Sequence, residues 1–210
     1  MKTKLTIVGT MLLAAVAQAT VYDSGTINVN TAIPDNNPSG YASGYTFATG
    51  DANTINGVSV TLNISGGYNG DLYGYLVNPN GNMAVLLDRV GQTGGNYGYS
   101  DAGMNVVLTD GAANGSIHDY QNVSGYASLI SSGGAFTPDN GTGSFTALNS
   151  GSANGQWTLF LADMSAGSQS QLVSWDLNVS VVPEPVTYAL GIFGGALALL
   201  VLGCRIARQN

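Results

Sequence analysis

Apolar and polar residues alternate without a fault along Val58-Ser59-Val60-Thr61-Leu62-Asn63-Ile64. A period of two marks a strand with one buried face. Leu72–Val77, Met83–Asp88, Met104–Thr109 and Trp157–Ala162 follow as short β-type runs. Leu172–Val181 alternates again. It predicts Val173, Trp175, Leu177, Val179 and Val181 on one face, with Ser174, Asp176, Asn178 and Ser180 on the other. Turn clusters separate the runs: Ser65-Gly66-Gly67, Asn78-Pro79-Asn80-Gly81 and Asp139-Asn140-Gly141. No stretch of this body carries a 3.6-residue period. Residues 110–156 are rich in Gly, Ser and Asn and are expected to form long loops. Short strands joined by Gly and Asn turns predict an all-β fold, a β-sandwich or jelly roll.

Both ends depart from this pattern. Lys2 and Lys4 precede an apolar run, Leu5–Val16, and then Ala17-Gln18-Ala19. That order predicts a signal peptide over residues 1–19, cut after Ala19 by signal peptidase to leave Thr20 first. Export machinery is thus an expected partner. At the other end, Val182-Pro183-Glu184-Pro185 leads into an uncharged stretch, Val186–Gly203, followed by Cys204, Arg205 and Arg208. Eighteen helical residues span about 27 Å, close to a hydrocarbon core of about 30 Å. A membrane helix over 186–203 is expected, with the basic tail 204–210 in the cytoplasm and the body, 20–181, outside. The two prolines hold the chain extended just before the span.

Composition narrows the function. Only 8% of residues are charged, against roughly 25% in an average soluble protein. Between the two ends Arg89 is the only basic residue, among eleven Asp and one Glu. Such a surface cannot neutralise phosphates, which excludes nucleic acid as a main partner. The only cysteine, Cys204, lies beyond the apolar tail, so the body has no disulfide.

Pro183-Glu184-Pro185, the hydrophobic span and the basic residues Arg205 and Arg208 together resemble a PEP-CTERM sorting signal over residues 182–210. In this chain Ile206 and Ala207 separate the two arginines. The resemblance implies processing by a membrane-embedded exosortase. It also implies a product at the cell surface or in an extracellular matrix, in the company of exopolysaccharide.

Two clusters in the body carry a second resemblance. One runs from Asn56 to Ile64, through Tyr68-Asn69-Gly70-Asp71-Leu72, to Leu76-Val77-Asn78-Pro79-Asn80-Gly81. The other comprises Phe145, Asn154-Gly155-Gln156-Trp157-Thr158-Leu159, Asp163, Gly167 and Leu172 with Trp175-Asp176-Leu177. Over residues 24–181 the chain resembles the P domain (Homo B domain) that follows the catalytic domain of subtilisin-like proprotein convertases. The resemblance implies a jelly-roll β-sandwich and an accessory place beside a serine protease. Ser168 and Ser170 stand where that family often has Asp and Gly, and Ser65-Gly66-Gly67 where it has a His.

Catalysis is not expected. A Ser-His-Asp triad needs a histidine, and the only one, His118, falls in the Gly-rich stretch as an expected surface bystander. No Gly-x-Ser-x-Gly elbow occurs. The body has no thiol and no second His for cysteine or zinc chemistry. Among eleven Asp some carboxylate pair is inevitable, so a glycosidase pair carries no weight. The reading is a non-enzymatic exported surface or matrix protein. The alternatives are a polysaccharide-binding module and an accessory P domain of a subtilisin-like system. Oxygen-rich turns make Asp71 and Asp163 candidate Ca²⁺ ligands, although Asp, Asn and Gly are also ordinary turn formers. Tyr73 and Tyr75 share a strand face and are candidates to stack on sugar rings, with Tyr97 and Tyr99 close behind; ordinary packing is the alternative. Trp157 and Trp175 are expected in the core.

Overall fold

The computed structural model describes residues 18–50, 53–139 and 144–183, with Gly195. Ala17, Glu184, Pro185, Arg205 and Arg208 lie outside the described residues, as does the predicted span 186–203 apart from Gly195. Among the described residues no helix is long and apolar enough to cross a membrane. Ala19–Val182 form one compact unit.

That unit is all-β, with two sheets around one core. The strands are β1 (Thr20–Asp23), β2 (Ile27–Ala32), β3 (Asn37–Phe47), β4 (Thr54–Gly66), β5 (Leu72–Val77), β6 (Met83–Asp88), β7 (Met104–Thr109), β8 (Gly134–Phe136), β9 (Gly155–Asp163) and β10 (Ser170–Val182). One sheet has the order β1-β10-β4-β7-β8, with β2 also paired to β10. The other has the order β3-β9-β5-β6. All pairings are antiparallel except β7 with β8. Thr20, the residue expected to follow the signal-peptide cut, is the first of β1 and pairs with Val181.

Alternation explains the core. In β4 Val58, Val60, Leu62 and Ile64 are buried, and in β9 Trp157, Leu159 and Leu161. These face Leu72 and Leu76 of β5 and Trp175, Leu177, Val179 and Val181 of β10 within one cluster. The two tryptophans are buried as expected. Trp157 Nε1 donates to the Ala153 carbonyl at 3.0 Å. Trp175 Nε1 donates to Ser43 Oγ at 2.9 Å, tying β10 of one sheet to β3 of the other.

Two irregularities break the period of two. The β4–β10 register shifts between Leu172 and Ser174, leaving Val173 as an extra residue, and again where Asn56 is extra in β4. A bulge turns the following residues over. Val173, predicted on the face of Trp175, is therefore only half-buried, and Leu172 takes the core position.

Residues 110–156 are less loose than their composition implies. They hold 3-10 turns at Ile117–Asn122 and Ser144–Leu148, a short helix α1 (Tyr126–Ser131), and β8. Ile117, Tyr120, Ile130, Phe136, Phe145 and Leu148 from this stretch are buried in the core. Each element buries only one or two side chains, so no periodicity betrays it.

Candidate ligand cleft

The most structured surface feature starts at Asn69–Asp71, a 3-10 turn feeding β5. All three of its residues are buried. A Cβ on Gly70 would stand 2.5 Å from the Tyr99 nitrogen and 2.7 Å from the Gly98 carbonyl carbon. Only glycine lets the 97–99 segment come this close. Gly70 N donates to the Tyr99 carbonyl at 2.8 Å, Asn69 N to the Asp101 carbonyl at 2.9 Å, and Tyr99 N to the Val90 carbonyl at 3.0 Å. The Tyr99 ring meets the edge of Tyr120 at 4.8 Å between centroids. Tyr120 is fully buried, and its hydroxyl donates to Asp101 Oδ2 while accepting from Asn69 Nδ2. The 97–101 segment is thus pinned to the entrance of β5.

A cavity of about 510 Å³ opens beside this contact. It is lined by Tyr68, Tyr97, Gly98, Tyr99, Asp71 and Ser165, with Ser100 and Ala166. Tyr97 is 79% exposed and Tyr68 42%.

Behind the lining lies the body's one cation. Arg89 Nη2 donates to Ser165 Oγ at 2.7 Å and stands 3.9 Å from Asp71 Oδ1. Ser165 thus stands between Arg89 and the Asp71 carboxylate. Asp163 pairs with Leu72 across β9 and β5, which brings it beside Asp71. Its Oδ1 accepts from Ser165 N at 3.3 Å, while its fully buried Oδ2 has no hydrogen-bond partner. Burial pushes Asp71 above the usual carboxylate range; Ser165 and Arg89 pull it back, and Asp35 pushes it up. Burial likewise raises Asp163, opposed by Ser165 N–H and Arg89 and reinforced by Asp71 and Asp35.

The candidate calcium ligands Asp71 and Asp163 are therefore neighbours, with Arg89 as their counter-charge. Among the described residues no group of three or more His, Cys, Asp or Glu is gathered around one point. A calcium ion takes six to eight oxygens. Here it would draw most of them from carbonyls or water and share the place with a guanidinium, so the donor set fits calcium poorly.

Tyr73 and Tyr75 lie elsewhere. They alternate with the buried Leu72 and Leu76 on β5 and are half-buried on the opposite face. Their rings meet edge to face at 6.1 Å, and Tyr75 stacks on Phe160 at 4.7 Å. Neither lines the cleft. The cleft residues that sequence reasoning did not assign are Tyr68, Ser165 and the supporting Arg89. The last carried a signal, as the single basic residue of an acidic body.

His118 is not a bystander. Its Nδ1 lies 2.8 Å from Asp139 Oδ1 and its Nε2 3.1 Å from the Gln92 carbonyl oxygen. Asp139 Oδ2 also accepts from Asp88 N at 2.7 Å, and burial raises the carboxyl. A carbonyl only accepts, so Nε2 donates there. The contact between Nδ1 and Oδ1 then also holds a proton, on one atom or the other. The pair clamps the start of the 91–99 loop, whose Gly91 N also donates to the His118 carbonyl at 2.8 Å.

No family model matches the sequence, and no curated protein matches it. Solved structures do. A complex of the Aeromonas sobria serine protease with its chaperone matches at 19% identity and a TM-score of 0.45, covering 79% of this chain and 28% of that one. The serine protease of Aeromonas sobria crystallised on its own matches at 17% identity and a TM-score of 0.43, over 77% of this chain and 27% of that one. This chain thus spans little more than a quarter of the length of either match.

Proposed function

We propose that this chain is a non-catalytic, exported β-sandwich module of the P-domain type, acting as an accessory domain beside a separately encoded subtilisin-like protease. The observation that carries this reading is where the residues of the sequence resemblance fall. Gly70 and Asp71 form the tight turn into β5. Asn78 closes the Pro79-Asn80-Gly81 turn by accepting from Asn80 N and Asn82 N, and its Nδ2 donates to the Leu148 carbonyl. Trp157 and Trp175 fill the core, and Asp163 sits against the turn of Asp71. These motif residues each have a structural task in the two-sheet fold.

A non-catalytic role agrees with the geometry of His118. A triad histidine must offer Nε2 to a serine hydroxyl, and here Nε2 faces a carbonyl. Delivery belongs to the ends: export through residues 1–19, then processing of the 182–210 signal by an exosortase-type enzyme. The product would reside at the cell surface or in the polysaccharide matrix.

The test is to tag the full-length chain in its host, isolate it under native conditions and assay the eluate for a subtilisin-like protease. Stoichiometric co-purification is the expected result, with an N-terminus at Thr20. A chain that purifies alone at every salt concentration, or that cleaves peptides by itself and loses that activity in His118→Ala, rejects the accessory reading. Full-length chain retained in the inner membrane of a host with active exosortase rejects the delivery route.

A further inference from the structure

We propose that the cleft between Tyr68 and the 97–99 segment binds a neutral pyranose ring of a polysaccharide. Three features of the cleft point to this ligand class.

Its walls are aromatic and open to solvent. Tyr97 and Tyr68 are both exposed large hydrophobic side chains, Tyr97 the most exposed of these among the described residues. An exposed tyrosine offers an apolar ring face with a polar edge, which suits a sugar whose C–H groups line one face and whose hydroxyls ring the rim. Tyr68 lies against the 165–167 turn, its Cε2 at 3.9 Å from where a Cβ of Gly167 would stand.

Its floor is rich in acceptors. Asp71 lies there with Ser165, whose hydroxyl oxygen accepts from Arg89 Nη2. Arg89 is the single cation behind two carboxylates, Asp71 and Asp163. An anion would meet that excess of negative charge, and a metal cation would meet the guanidinium. Hydroxyls of a neutral sugar can donate to these acceptors and bring no charge of their own.

Its shape is built in advance. The Gly70–Gly98 approach, the Tyr99–Tyr120 edge contact and the backbone bonds of Gly70, Asn69 and Tyr99 hold one wall in place before any ligand arrives. A cavity of about 510 Å³ is also within the size range of small-ligand sites. Preorganisation lowers the ordering cost of binding. Sugar binding here is independent of any protease partner.

Native gel electrophoresis of the full-length chain in mild detergent, through gels containing a neutral glucan, galactan or mannan, tests this. Retardation by at least one neutral polymer is expected. Tyr97→Ala should need about tenfold more polymer for the same retardation, and so should Tyr68→Ala. Tyr97 is exposed enough for its removal to leave the fold intact, which an unchanged melting midpoint would verify. No retardation by any of the polymers overturns the proposal, as does undiminished retardation of Tyr97→Ala. Loss in Tyr73→Ala in place of Tyr97→Ala would move binding to the sheet face and overturn it as well.

Discussion

Arg89 shows how much one residue can carry when it has no relatives in the chain. It is the only base in a body with eleven Asp. It holds φ at +52°, a conformation unusual for a non-glycine residue. From there it reaches Ser165 and Asp71. Arg89→Met should destabilise the fold by about 1–3 kcal/mol, because a buried carboxylate loses its counter-charge; urea denaturation measures it. The carboxylates themselves predict a pH dependence. Asp71, Asp139, Asp163 and Asp176 are all raised in the folded state, each chiefly by burial. Between the unfolded value of about 3.9 and the higher folded values, the native state binds more protons than the unfolded one. Stability therefore falls as pH rises through that window, and the penalty is complete at neutral pH. The melting midpoint should rise as pH is lowered from 7 toward the carboxylate range, and rise less in Asp163→Asn. A midpoint that falls on mild acidification would contradict this. Composition made the lone arginine visible, but its partners come from two separate segments, so their meeting was not legible.

Among the elements, legibility followed length and regularity. β4 and most of β10 follow from alternation, because a sheet with one buried face repeats its environment every second residue, and β5, β6, β7 and β9 follow as short β-type runs between turn signals. β1, β2 and β3 were not delimited, although Ile27-Asn28-Val29-Asn30 of β2 alternates. The bulge at Val173 was invisible for a different reason. Its extra residue is set by the partner strand, which no single strand's sequence records. Core weight concentrates in the two tryptophans. Trp157→Ala should cost about 3–5 kcal/mol as a large-to-small core substitution. Trp175→Phe should cost about 1 kcal/mol from the lost bond to Ser43, plus any cavity contribution. Chemical denaturation of both variants gives the comparison, and a Trp175→Phe variant as stable as the parent chain would deny the cross-sheet bond a role.

At the scale of the whole molecule, the acidic body packs one hydrophobic core between two sheets. Arg89 already sits where calcium would be sought, so EDTA should leave the melting midpoint unchanged; a fall of several degrees would reveal a bound ion. The sequence by itself determined the all-β class, the main strands and the buried tryptophans. It also set the expectations for a signal peptide and a sorting tail, because local period and composition act over neighbouring residues. The tertiary structure alone decided which loops meet. Tyr68 with Asp71, Tyr97 and Ser165 come from three places along the chain, and β5–β9 pairing with the Gly70–Gly98 contact brings them around one cleft. Tyr73 and Tyr75, close in sequence and alike in chemistry, were left on another surface because alternation along β5 points them away from the core while the turn before it opens the cleft. Contacts between distant residues depend on strand order and register, and these are properties of the packed sheets, not of any one segment.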